Sequence, residues 1–144
     1  MMHAPFPFFT SATAVFVAVF QMLLMLFVAF GRGRYRTGLG DGGSPQLLKR
    51  IRIHGNLAEN APLFLILLAL VELSGEWVAF VPWFALAFVV ARLSHALGLA
   101  ISAGVTPFRF VGVFGTFGTV VGLAAMLAIT LSRNTQWITG LLPA

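Results

Sequence analysis

Apolar residues in this chain do not alternate with polar ones; they gather into four long stretches, Phe8 to Phe30, Leu47 to Leu73, Val78 to Ile101 and Phe110 to Leu131. Each exceeds the ~20 residues that an α-helix needs to cross the hydrocarbon of a bilayer. The polar punctuation between them fits helix ends. Gly31 opens RGRYRTGLGDGGS, Ser44 and Pro45 read as N-cap and first helical position, Ser74-Gly75 stops the second helix, and Ser102-Ala103-Gly104 separates the third from a fourth that starts at Pro107. The pattern predicts helices over residues 8–30, 45–73, 78–101 and 107–131. The fold class is all-α: an integral membrane four-helix bundle in one domain, residues 1–144.

Composition supports this. Of 144 residues, 59% are hydrophobic and 9% charged, more apolar surface than a core of this size can bury, so lipid must cover the rest. The run from Phe8 is too long for the apolar region of a signal peptide and no basic segment precedes it, so it is expected to stay as the first helix. There is no cysteine, which excludes disulfides and thiolate metal sites and means that any thiol chemistry needs a bound thiol.

The net charge is +5, and its distribution is a topology signal rather than a nucleic-acid footprint. Arg32, Arg34, Arg36, Lys49, Arg50 and Arg52 flank the first loop and Arg109 the third, whereas the second loop, SGEW, has none. The positive-inside rule then places loops 1 and 3 in the cytoplasm and both termini outside it, in the inner membrane, with Arg133 alone against the pattern. Trp77, Trp83 and Trp137 fall at the outer ends of helices, as interfacial aromatics do.

Chemistry concentrates in RIHGNLAENAP of helix 2. Arg52, Asn56 and Glu59 fall within ~60° of one another on one helical stripe, and a charge near the centre of a span costs ~2.5–3.5 kcal/mol, so these groups must face protein or water. Pro62 cannot donate to the Ala58 carbonyl, which predicts a kink beside that stripe. Two readings stand. In one the polar groups are structural, with Arg52 or Arg92 paired to Glu59 and Asn56 bonded to a neighbouring helix. In the other, Arg52, Arg92 and Arg109, with Glu59 as the obvious counter-charge, bind an anionic ligand. His54 lies on the far side from Asn56 as an interface residue; the three histidines have no metal-ligand spacing, so no metal is expected. Gly112, Gly115, Gly118 and Gly122 share one face of helix 4, suited to close helix packing or to a groove. Gly38 to Gly43 formally satisfies GxGxxG, but no βαβ unit is possible here, so it is read as a turn.

Arg52-x-His54-x-Asn56-x-x-Glu59 followed by Pro62 resembles the signature of the membrane-associated proteins in eicosanoid and glutathione metabolism, the MAPEG superfamily. Arg92-x-x-His95 and Pro107-Phe108-Arg109 are also similar to that family, and the stretch from Gly40 to Pro62 resembles its small bacterial branch. The resemblance implies a homotrimer that binds glutathione between subunits, in clefts open to lipid. It implies that Arg52, Asn56, Glu59, Arg92 and His95 hold the peptide and that Arg109 stabilises its thiolate. Asn60 and Leu99 stand where the better-known enzymes of the family often carry tyrosine. The expected function is a glutathione-dependent transferase or peroxidase acting on lipophilic electrophiles. Its rivals are a non-catalytic lipid-binding or scaffold protein of the same fold, and a small proton-coupled exporter with Glu59 as proton carrier.

Overall fold

A computed structural model describes residues 6–102 and 104–134. It contains four helices: α1 (Phe8–Arg34), α2 (Pro45–Ser74), α3 (Val81–Ile101) and α4 (Pro107–Arg133). All four are long and apolar enough to cross a membrane, and no strand occurs among the described residues. The α3 helix, with 21 residues, is ~32 Å long and just matches the hydrocarbon thickness. The α2 helix, with 30 residues, is ~45 Å long and must project beyond it.

Local sequence explains the helix starts. Ser44 Oγ accepts from Leu47 N (3.2 Å) and Thr106 Oγ1 from Arg109 N (3.2 Å), and in each case proline follows the cap, where its missing N–H costs nothing. Two expected boundaries move. The first helix does not end at Gly31 but runs another turn to Arg34, where Arg36, at φ 49°, closes it in a Schellman arrangement: Thr37 N donates to Arg32 O and Arg36 N to Gly33 O. The third begins at Val81, not Val78. Pro82 is tolerated only in the first helical turn, so the apolar residues 78–80 form the turn before the helix. The second helix stops at Ser74 as expected, with Gly75 left-handed at φ 75°. It runs continuously through Pro62.

Contacts between helix ends establish an up-down-up-down bundle. Phe9 at the start of α1 bonds Glu72 at the end of α2, and Trp77 before α3 bonds Thr130 at the end of α4. At the other pole Gly31 lies against Leu47, and Gly98 against Arg109. Between the poles, a buried cluster that includes Leu57, Phe64, Leu68, Val71 and Phe88 forms the core, with Phe64 and Phe88 stacked at 3.8 Å between ring centroids. Most other large apolar side chains, such as Phe27, Trp83, Phe114 and Phe117, are exposed, as lipid-facing residues should be.

The α3 and α4 helices make the most extensive pairing. Glycine is what permits it: a Cβ at Gly112 would come within 2.8 Å of His95 N, and one at Gly115 within 2.9 Å of the Ala91 Cβ. Gly122 likewise admits the Phe84 ring, whereas Gly118 meets nothing within 4 Å. The glycine face is therefore mainly a packing surface, and Gly118 is its open member. Trp77 and Trp83 lie at the pole of the second loop; Trp137 falls outside the described residues.

Candidate functional site

Arg92 makes three side-chain hydrogen bonds, though it lies in an apolar helix and is only 3% exposed. Its Nη1 donates to Asn56 Oδ1 on α2 (2.7 Å), and its Nη2 donates to Gly112 O on α4 (2.8 Å) and to Thr116 Oγ1. Its Nε has no partner among the described residues. One guanidinium thus ties three helices, which its rigid fork of donors allows and a lysine ammonium would not. No acidic side chain among the described residues lies within ion-pairing distance of it.

Beside this hub a cleft of about 280 Å³ opens sideways between α2, α3 and α4. Asn56, Glu59, Asn60 and Arg92 form its polar wall; Leu63 and Phe117 belong to its apolar one. Asn60 Nδ2 donates back to Asn56 O (2.7 Å), which anchors the α2 wall. Glu59 is exposed at the cleft, with no hydrogen-bond or ion-pair partner among the described residues. The single chain therefore presents a buried cation, a free acid and amides in one apolar recess. Such a recess suits a small zwitterion or anion with an apolar companion.

The site residues named from sequence are thereby divided. Asn56, Glu59 and Arg92 meet at the cleft. Arg52, one turn before Asn56, is exposed and outside its lining. His95 is buried against Gly112, one turn along α3 from Arg92, and its Nδ1 has no partner among the described residues. Arg109 also lies outside the lining, at the first turn of α4, where Nη1 donates to Gly104 O (2.7 Å). The structural reading holds for Asn56, which bonds a neighbouring helix, but not for Glu59, which pairs with neither Arg52 nor Arg92. His54 lies at an interface: its Nε2 is 2.8 Å from Gln21 Nε2 on α1.

Two residues of weight are absent from the sequence-based list. Thr116 completes the coordination of Arg92 and itself donates to Gly112 O (2.8 Å); its signal is the four-residue step from Gly112 on the glycine face. Glu72, 8% exposed, spends both carboxylate oxygens on the start of α1, Oε1 accepting from Phe9 N (2.9 Å) and Oε2 from Thr10 N (2.8 Å). A lone acid near the end of an apolar helix gives no hint of a partner 63 residues earlier.

This is a polytopic membrane protein with a buried polar cluster at a lateral cleft. The sequence model of the MAPEG family matches residues 10–129, and the chain belongs to the MAPEG family. It is similar to the inner membrane protein YecN of Escherichia coli strain K12, with 34% identity over 89 residues, 60% of this chain and 68% of YecN. YecN of Escherichia coli O6:H1 matches to the same extent.

Proposed function

We propose that the chain binds glutathione in the cleft beside Arg92 and presents its thiolate to apolar electrophiles that arrive through the bilayer. The observation that carries this reading is a buried guanidinium with no acidic partner among the described residues, in the wall of a lateral cleft that also holds Glu59. Glutathione has two carboxylates and one ammonium, a charge pattern complementary to Arg52, Arg92 and Glu59. Because both Nη atoms of Arg92 are engaged within the chain, Arg92 acts through its field and through the Asn56 amide it orients. His95, buried one turn further on and outside the cleft lining, supports the site through its packing on Gly112 rather than by contact, and Arg109 favours the thiolate, whose sulfur bonds to the electrophile as the leaving group departs.

In this reading the chain is a homotrimer. The exposed Arg52 and Glu59 face a neighbouring copy that closes the cleft. The first loop, with its arginines, faces the cytoplasm, and both termini lie outside. Arg133, the basic residue against that orientation, faces Glu76 at 3.8 Å.

Calorimetric titration of the detergent-purified protein with glutathione tests the reading. Glu59→Gln and Arg52→Ala should each weaken binding roughly 10- to 30-fold, the worth of one charge-assisted hydrogen bond at a partly solvated site. Arg109→Ala should leave affinity nearly unchanged but raise the pH at which bound thiolate absorbance appears. No heat with glutathione at millimolar concentration would favour a lipid-binding or scaffold protein. The engagement of both Arg92 Nη atoms inside the chain favours that second reading.

A further inference from the structure

A second recess, separate from the cleft at Arg92, lies near the pole of the first loop and has an amphipathic lining. It measures about 210 Å³ and is formed by Gln46, Lys49, Arg50 and Ile53 of α2, Phe27 of α1 and Ala100 of α3. The α2 residues fall on one helical face, ~100° from the Arg52, Asn56 and Glu59 stripe, so the two recesses open in different directions. Lys49 and Arg50 lie about one turn inside the start of α2, at the depth where a helix passes from water to hydrocarbon.

The recess is built rather than incidental. Arg50 lies across α1, with Nη1 donating to Phe27 O (3.0 Å) and its guanidinium carbon 3.9 Å from the centroid of the Phe27 ring. Gly31 leaves it room: a Cβ there would stand 3.1 Å from both Arg50 Cδ and Arg50 Nη1. The guanidinium is thereby fixed, with Nε and Nη2 not engaged in these contacts. Lys49 has no partner among the described residues, and Gln46, whose Oε1 accepts from Ser44 Oγ (3.3 Å), keeps its amide N–H groups unspent. No acidic side chain pairs with either cation among the described residues.

We infer that this recess is a binding site for one anionic phospholipid of the leaflet bordering the first loop. Its phosphate lies among Lys49, Arg50 and Gln46, and the upper part of an acyl chain lies along Phe27, Ile53 and Ala100. Charge complementarity selects the headgroup, and the apolar floor selects a lipid over a free anion. A neutral headgroup would leave two cations unpaired at the edge of hydrocarbon.

The test uses the full chain with Phe27→Trp, which keeps the stacking partner of Arg50 and places a reporter in the recess. The protein is reconstituted in phosphatidylcholine bilayers with increasing fractions of phosphatidylglycerol brominated on its acyl chains, and quenching is read against the chain without the added tryptophan. Half-maximal quenching should occur at a phosphatidylglycerol fraction well below that needed with brominated phosphatidylcholine. Each basic contact at a membrane surface is worth about fivefold in lipid affinity, so Lys49→Gln with Arg50→Gln should raise the midpoint roughly thirtyfold. Loss of Arg50 would also loosen α1, so Lys49→Gln alone, at a residue with no hydrogen-bond or ion-pair partner among the described residues, serves as the second variant and should raise it about fivefold. Arg34→Gln with Arg36→Gln should leave the midpoint in place. Equal quenching by the two lipids would overturn the inference. So would an equal effect of the Arg34 and Arg36 pair, which would indicate diffuse surface charge, or displacement by inorganic phosphate, which would indicate a free-anion site.

Discussion

Glu72 offers the clearest test of how the pole of the second loop is held together. Its two oxygens accept from the free N–H groups of Phe9 and Thr10 in the first turn of α1, which has no side-chain cap of its own. A hydrogen bond to a charged group contributes ~1.5–3 kcal/mol, and a carboxylate facing the positive end of a helix dipole adds ~0.3–1 kcal/mol. Removing both bonds and the charge with Glu72→Leu should therefore cost ~3–7 kcal/mol if the two N–H groups stay dry, and nearer 3 if interfacial water reaches them. Glu72→Gln keeps one carbonyl oxygen and loses the charge, so it should cost about half as much. The bundle depends on this contact because few residues of α1 are buried, leaving few packing contacts to hold it. Titration of the protein from mild detergent into dodecyl sulfate, followed by circular dichroism and by tryptophan fluorescence, gives the two free-energy differences. If both variants unfold within ~0.5 kcal/mol of the unaltered chain, the clamp contributes nothing and the reasoning fails.

Other substitutions separate packing from chemistry. Gly112→Ala should destabilise the bundle by ~1–3 kcal/mol or more, because its Cβ meets the backbone of His95, whereas Gly118→Ala, with open space around it, should change stability by less than ~0.5 kcal/mol; the same dodecyl sulfate titration reads both. Arg92→Met should move that titration by at most ~2 kcal/mol while abolishing the calorimetric signal of glutathione. The chain has no cysteine, so single cysteines at Gly40 and Gly75 can report topology. A membrane-impermeant thiol reagent should label only Gly75→Cys in intact cells, and the opposite pattern would reverse the proposed orientation.

The fold was legible because membrane spans are written in long apolar runs, and because the Ser44-Pro45 and Thr106-Pro107 pairs mark helix starts by a local mechanism. Boundaries went astray where local backbone chemistry outweighed hydropathy. Arg36 in the left-handed region lengthened α1 past two glycines, and Pro82 shortened α3 by claiming its first turn. In the cleft, the helical period put Asn56 and Glu59 on one stripe, but only tertiary packing determines which acceptors Arg92 reaches. It chose Asn56, Gly112 and Thr116 over Glu59, a preference no spacing within α2 or α3 encodes. The clamp by Glu72 was illegible for the same reason, since its partners are backbone atoms of another helix.

The energetics of Arg92 explain why the cleft, rather than the core, is the place to look for function. Placing an arginine near the middle of a span costs ~2.5–3.5 kcal/mol on insertion scales, and hydrogen bonds between membrane helices return ~0.6–2 kcal/mol each. Its three bonds therefore return ~2–6 kcal/mol, close enough to the cost that the hub adds little net stability. A methionine of similar length would fill the space between Phe88 and Thr116 without the desolvation cost, as buried ion clusters replaced by apolar residues show elsewhere. Stability alone thus gives little reason for a guanidinium here. What it supplies that methionine cannot is a positive field in a largely apolar recess beside Glu59, where the charge is screened less than in bulk water. By contrast, Arg133 at the second-loop pole is matched by Glu76 and exposed, so its field is screened by water and by its partner. The two arginines have the same chemistry; Arg92 differs in being buried with no acidic partner among the described residues, and the proposed binding of an anionic ligand rests on that difference.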